Sequence, residues 1–458
     1  MVCICKEKIW YLKNSRNIEA GNSHIPNAGD NALITKYYIM RYYKVTLILF
    51  LFTLTSFGQT TKKYDFDLIV PIDCSDPKFG QTKISYELGA DFSPQKPTVF
   101  IIADAQQFYI RKGALIQLQS SLFDSTFNVV GIISRNNNAD LKKLVSDTTG
   151  NIDWINAYHI FRWEQYVNDI NEVRKALLGE QGKILLYGQS GGGFLVHQFL
   201  SMYGQYVDRA FTAAAVNGHL DNDLGINHDK FWDEVTKQDS AFAHKFSILS
   251  RSDYFSRDLI SILFQRQNFF VKLDSLQFER EMLLDVLLKK DTGLVNKYKE
   301  KYQINAIQAF YASSDGIPIK VRLFEFIFPL LNNYKVKSDT LMPDLENLYY
   351  SSLPLIKAYR KNEIKPKIMN FDNLHNLSTE VFILAGRWDH TADYRSQIAL
   401  AYIYSYHYLF LANDNHTFVS LKNEGLYNQL LISYFKYGIH NSLNKEILKK
   451  CERFRWKE

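Results

Sequence analysis

The chain is short of several residues and patterns, and each shortage excludes something. Four cysteines in 458 residues cannot staple a disulfide scaffold, and no Cys/His spacing fits a zinc site, so no metal is expected. There is no basic block and no helix-turn-helix pattern, which argues against nucleic acid as a partner. The formal charge of +6 is uneven: residues 1–59 hold seven Lys/Arg against three Asp/Glu, leaving the rest near +2. No apolar run reaches the ~20 residues needed to span a bilayer. No internal repeat or low-complexity segment is present.

What remains is an ordinary globular composition, 46% apolar and 22% charged, long enough for one large domain with an insertion or for two domains. The aromatic share of 15% is high. It accompanies many Lys, Asn and Ile, all with AT-rich codons, so genome bias explains it; a sugar- or base-stacking surface is the alternative. The one leader-like stretch is "MRYYKVTLILFLFTLTSFGQ" from Met40, with Arg41 and Lys44 before a 13-residue run from Val45 to Phe57 and small residues around Gly58. This is a signal-peptide pattern. It implies translation from Met40, an upstream extension over 1–39, a signal over 40–58, and an exported mature chain, periplasmic or secreted, with no membrane span left. An internal anchor is the alternative. Cys3 and Cys5 would then be absent, leaving Cys74 and Cys451 as buried thiols or one disulfide.

Short apolar segments bounded by turn residues read as strands: "DFDLIVPID", "TKISYELGA", "TVFIIADA", "FNVVGIISR", "KILLY" and "RAFTAAAVNG". Between the fourth and fifth lies "FRWEQYVNDINEVRKALLG", with Val167, Ile170, Val173 and Leu177 at helical spacing and Gly179 as a C-cap. This alternation implies an α/β class with a mostly parallel sheet flanked by helices. From 220 to 365 the alternation stops. The stretch is charged, aromatic and helical, and reads as a cap over the sheet or as a second domain. The α/β texture resumes at "STEVFILAG", a helix near 394–403, "YHYLFLAND" and a C-terminal amphipathic helix. The core therefore spans 60–219 and 366–458, interrupted by a helical cap at 220–365.

Within "ILLYGQSGGGFLVHQFL", Ser190 sits at a strand-to-helix junction with Gly188 and Gln189 before it and Gly191 and Gly192 after it. A tight turn there crowds the positions two before and two after the serine, so those must lack bulk. It lifts the hydroxyl from the sheet and aims the first helical amides, starting with Gly191, at whatever the serine attacks. This is a nucleophile elbow, G-x-S-x-G. A serine needs a base, and the base an orienting acid. Asp389 in "VFILAGRWDHTAD" and His416 in "LFLANDNHTF" each follow a late strand, in the order Ser, Asp, His. Asp393 and Asp414 are rival acids and His390 a rival base. His197, on the helix behind the elbow, reads as packed.

These segments resemble a known family. "VPIDCSDPKFGQTKISYELGA", "YVNDINEVRKALLGEQGKILLYGQSGGGFLVHQFLSMYGQYVDRA", "AGRWDHTAD" and "NDNHTF" are similar to the opening, the core and the acid and histidine loops of tripeptidyl-aminopeptidase-like and proline-iminopeptidase-like α/β-hydrolases. The likeness covers roughly 65–220 and 375–435 and fades across the insertion. It implies an α/β-hydrolase fold with a helical cap and a serine peptidase acting at the amino end of short peptides without cofactor. Ser190 would be the nucleophile, Asp389 the acid and His416 the base. Where the family has a Gly-Gly-Pro-Gly oxyanion loop this chain has "IIADAQQF", so the backbone amide of Ala105 is the second expected oxyanion donor beside Gly191. Where the family has Arg-Gly-x-Gly, "SRNNNAD" stands. Cap carboxylates would hold the substrate's free amine, with Glu279, Glu281, Asp344 and Glu346 as candidates. A carboxylesterase on small acyl esters shares every step, and a non-catalytic binding protein on a hydrolase scaffold is the third reading.

The leader pattern makes one expectation directly measurable. Amino-terminal sequencing of the native exported protein should begin near Gln59, and recovery of peptides from residues 1–39 would refute the Met40 start.

Overall fold

The computed structural model describes residues 65–105, 110, 113–133, 135–226, 230–238, 240–332 and 334–457. The leader pattern at 40–58 and the extension before it lie outside the described residues.

Eight strands form one sheet: β1 (Asp65–Pro71), β2 (Gln81–Leu88), β3 (Thr98–Ile102), β4 (Asn128–Ile133), β5 (Ile184–Gln189), β6 (Val207–Ala213), β7 (Glu380–Gly386) and β8 (His407–Ala412). Their order is β1-β2-β4-β3-β5-β6-β7-β8. The β1–β2 and β2–β4 pairs are antiparallel, and the other pairs are parallel. The parallel strands are covered on both faces, which is why they read as unbroken apolar runs instead of alternating ones. Successive residues still serve opposite cores. Phe100, Ile102, Leu186 and Ile383 face one cluster, while Val99, Ile101, Tyr187 and Leu384 face the other. In the second, Phe211 stacks on Phe382 at 4.8 Å and Phe382 on Tyr408 at 5.2 Å. This strand order, with the strained serine turn after β5 described below, is the α/β-hydrolase fold.

Helix Trp163–Leu178 buries Val167, Ile170 and Val173 against the sheet. It ends at Gly179, whose φ of 77 and N–H to the Lys175 carbonyl complete the expected cap. The "SRNNNAD" segment has a structural use. Arg135 is buried and grips Asp169 with Nε and Nη2 at 2.7 and 2.9 Å. It also donates to the carbonyls of Pro71, Ile72 and Ile160. A planar guanidinium thus ties β1, the turn after β4 and two helices together. Cys74 is exposed and Cys451 buried, and both are free; the expectation of two buried thiols fails for Cys74, which lies in the open turn after β1 with Asn168 Nδ2 3.1 Å from its sulfur.

The chain between β6 and β7 is helical, and it divides in two where one cap was expected. Helices from Phe231 to Ala312 enclose a core of their own, including Phe231, Phe246, Leu263, Leu283 and Tyr302. Helices Gly316–Ile327, Pro343–Ser351 and Leu353–Arg360 instead join the core on one face of the sheet. Phe326 meets Phe194 edge-on at 5.3 Å, and Phe324 meets Tyr158 at 5.9 Å. The division follows from side-chain size: "VRLFEFIFPLL" presents apolar bulk all round a helix, which only a deep core can cover. The single carboxy-terminal amphipathic helix expected is two, Leu426–Tyr437 and Ser442–Cys451.

The Arg135 clamp carries a stability prediction. Asp169→Ala leaves a buried guanidinium without its counter-charge and should cost about 3–5 kcal/mol in urea unfolding at pH 7. Removing Asp208 from the exposed pair with Lys183 should cost under about 1 kcal/mol. Equal losses would contradict the assignment of Arg135 as a structural anchor.

Candidate active site

The elbow is strained as the sequence requires. Ser190 has φ 57 and ψ −122, between the end of β5 and the helix Gly191–Tyr203. Its N–H donates to the Ala213 carbonyl at 2.8 Å, pinning the turn to β6. A Cβ on Gly188 would stand 2.4 Å from the Gly192 carbonyl oxygen, and one on Gly193 2.8 Å from Ala215 Cβ. The glycines are there because backbone and side chains of neighbouring elements occupy the space.

The three expected residues meet. Ser190 Oγ donates to His416 Nε2 at 2.9 Å, and His416 Nδ1 donates to Asp389 Oδ2 at 2.8 Å. Asp389 Oδ1 accepts from the amides of Thr391 and Ala392 at 2.8 and 3.0 Å. Both oxygens of the carboxylate are engaged, so it is held in place and selects the tautomer with its proton on Nδ1. Asp389, two residues past Arg387, lies at the end of β7; His416 lies four residues past the end of β8. The rivals have other partners. Asp393 caps helix Tyr394–Ile403 and pairs with Arg395 and Lys230. Asp414 accepts from the amides of Asn415, Ser420 and Leu421, shaping the loop that carries His416. His390 donates to Glu234 at 2.8 Å. His197 lies behind the elbow, 2.6 Å from the Tyr404 hydroxyl, and burial pushes it down to about 3, so it stays neutral.

The Ala105 N–H, the second expected oxyanion donor, neighbours the Asp104 carboxylate and favours its charged form. Asp104 lies so close to the elbow that a Cβ on Gly191 would be 2.2 Å from its Oδ2. Its Oδ1 accepts from Arg322 Nε at 2.7 Å, and both side chains are fully buried. Arg322 also pairs with Glu325, which accepts the Trp163 amide at 2.9 Å. Burial pushes Asp104 and Glu325 up, the latter to about 8, while Arg322 opposes both shifts. Sequence reasoning missed this cluster. The signal available was an aspartate directly after a wholly apolar strand, a place where a charge needs a partner.

The helices between β6 and β7 roof the site. Phe269 sets its ring edge-on to His416 at 5.0 Å, and the Asn268 carbonyl accepts from Asn415 Nδ2 at 3.3 Å. Ser190 is 9% and His416 5% exposed, so the serine hydroxyl and the imidazole are nearly sealed. Of the four roof carboxylates considered for a substrate amine, Glu279 pairs with Lys301 and Glu281 with Gln277. Glu346 is held by Arg257 and Ser261. Asp344 alone approaches the triad: it accepts from Thr391 Oγ1 at 2.5 Å and from Gln265 Nε2 at 3.2 Å, and it feels the charge of Asp389. Among the described residues no group of three His, Cys, Asp or Glu side chains is placed to hold a metal ion.

No protein-family profile matches the chain, and no curated protein does. Among solved structures, a bromoperoxidase from Bacillus anthracis is 15% identical with a TM-score of 0.41, covering 80% of this chain and 98% of its own. An esterase from Exiguobacterium antarcticum is 12% identical with a TM-score of 0.38, covering 78% and 96%. A 2-hydroxy-6-oxo-6-phenylhexa-2,4-dienoate hydrolase from Rhodococcus is 13% identical with a TM-score of 0.35, covering 81% and 99%.

The acid assignment is testable without a known substrate. Asp389→Asn should slow fluorophosphonate labelling of Ser190 by about 10⁴, because the wrong tautomer then faces the serine. Asp393→Asn should change it less than about tenfold. The reverse order would move the acid to Asp393.

Proposed function

We propose that the chain is a serine hydrolase of small substrates, and that its natural substrates are short peptides cleaved at the amino end. The observation that carries the hydrolase reading is the unbroken relay from Asp389 through His416 to the strained Ser190. The Ser190 oxygen attacks a carbonyl carbon while His416 Nε2 takes its proton, and Asp389 holds the resulting imidazolium in place. The negative oxygen of the tetrahedral adduct faces the Gly191 amide at the start of the elbow helix. The Ala105 amide joins it once the Asp104 carboxylate yields that donor. His416 then protonates the leaving amine, an acyl-enzyme remains on Ser190, and water activated by the same imidazole releases it.

Asp344 supports the peptide reading. A protonated amine in a closed site needs a carboxylate near the triad, and Asp344 is the roof acid that stands there. The esterase reading draws on the same residue, because Asp344 already accepts two side-chain donors. The Ala105 contact with Asp104 favours the third reading, a binding protein whose oxyanion site is closed. The leader pattern at 40–58 supports action outside the cytoplasm. Nothing in the charge distribution favours nucleic acid.

A fluorophosphonate probe should label the wild type and not Ser190→Ala; an unlabelled wild type would favour the binding-protein reading. Aminoacyl-naphthylamides should be cleaved faster than acetyl esters. Asp344→Asn should raise KM for the former about tenfold or more with little change in kcat. The roof should exclude folded proteins, so casein should survive; its digestion would refute the small-substrate reading.

A further inference from the structure

The last turns of the roof helix Arg257–Phe270 lie over the triad, and they carry an arginine with no counter-charge among the described residues. Gln265, Asn268 and Phe269, spaced i, i+3 and i+4, share one face, on which Asn268 and Phe269 meet the base loop and Gln265 meets Asp344. Arg266, Phe269 and Phe270 form the adjoining face. The Arg266 guanidinium stands 4.8 Å from the Phe270 ring and 5.5 Å from the Phe269 ring. The Phe269 ring in turn contacts His416. One aromatic ring therefore separates this cation from the imidazole of the triad.

Most arginines withdrawn from solvent are neutralised: Arg135 by Asp169, Arg162 by Asp73, Arg257 by Glu346, Arg280 by Glu234 and Arg322 by Asp104, while half-buried Arg387 stacks on Trp388, Tyr394 and Trp456. Arg174 lacks a hydrogen-bonded acid but directs Nη1 at three carbonyls. Arg266 has one hydrogen bond, from Nε to the Tyr302 carbonyl at 3.3 Å. Among the described residues no carboxylate pairs with it. Burial pushes it down to about 10, and Tyr311 is the titratable group near it. Burial pushes Tyr311 up to about 12, so its hydroxyl keeps its proton, and that hydroxyl has no hydrogen-bond acceptor among the described residues. Both side chains are partly open. Arg266, stacked beside the ring that covers His416, is thus half-buried with no acid in its fork among the described residues, and Tyr311 lies near it. A desolvated guanidinium is costly when stacking on rings is its main compensation, and it recovers most when an anion arrives in its fork.

We propose that Arg266 and Tyr311 form a subsite for a carboxylate of the substrate, so that the site takes small acyl compounds or short peptides bearing a free carboxylate near the scissile carbonyl. This rests on the serine-hydrolase reading above. The carboxylate belongs either to the acyl part, as in a dicarboxylic half-ester, or to the leaving part, as at the carboxy end of a short peptide.

Two matched substrate pairs distinguish these sources: mono-p-nitrophenyl glutarate against p-nitrophenyl butyrate, and trialanine against trialanine amide. The carboxylate member of at least one pair should have the higher kcat/KM by about tenfold or more, expressed in KM. Arg266→Gln should abolish that preference while leaving the uncharged member within about threefold, and Arg266→Lys should restore part of it. Tyr311→Phe, which removes one oxygen, should weaken it by about threefold or more. Titration calorimetry of glutarate into the full-length Ser190→Ala protein reads the subsite without turnover, and Arg266→Gln in that background should weaken binding about tenfold. Equal rates within both pairs, equal losses for both members in Arg266→Gln, or glutarate binding indifferent to Arg266 would each overturn the subsite. Fluorophosphonate labelling separates the two levels. Labelling with no carboxylate preference sinks the subsite alone. Absence of labelling sinks the hydrolase reading and leaves the glutarate titration to decide the subsite.

Discussion

Arg322 is the point at which the sheet, the elbow and the roof become one object. It stands on a helix between β6 and β7, yet its guanidinium is shared by Asp104 at the end of β3 and by Glu325, which fixes the amide that opens helix Trp163–Leu178. All three charged groups are buried. A buried ion cluster adds little net stability compared with apolar packing, because desolvation consumes most of the Coulombic gain. What it does impose is pairing: without Arg322, two carboxyl groups would be left buried with no cation between them. The placement of Asp104 against Gly191 and the Ala105 amide is therefore bound to the placement of the roof, although no covalent segment near the elbow records the link.

The same cluster changes how the glycine run after Ser190 reads. Gly191 follows the nucleophile, and a side chain there would collide with the Asp104 carboxylate. Gly191 and Asp104 share one gap, and the bulk that fills it is a charge on the loop after β3, anchored from the roof by Arg322. A change at either position alone would overfill or empty the space.

Much of this was legible from residues that act locally. The elbow was legible because its constraint is steric and spans five residues. Asp389 and His416 were legible because each follows an apolar strand in a fixed order. The choice among acids was less so: Asp389 and Asp393 sit in Asx-type turns, Asp414 also accepts backbone amides, and only the direction of the second carboxylate oxygen distinguishes the one facing His416. Asp104 and Arg322 are 218 residues apart, beyond any periodicity or spacing argument. The division of the helical segment was hidden for a related reason. Apolar content shows that "LISILFQRQNFFVKL" and "VRLFEFIFPLLNNY" must each be covered, but not that the first is covered by neighbouring helices and the second by the sheet's own core.

The 226 residues between Ser190 and His416 have a consequence during synthesis. The amino-terminal part of the sheet, through β6, emerges first and carries the nucleophile on its turn. The roof follows, and the acid and base come only with β7 and β8. A half-made or truncated chain therefore holds a serine with neither base nor acid, as inert as any surface hydroxyl. The Ser190–His416–Asp389 relay can close only when β7 and β8 join β6, after the whole roof has been synthesised.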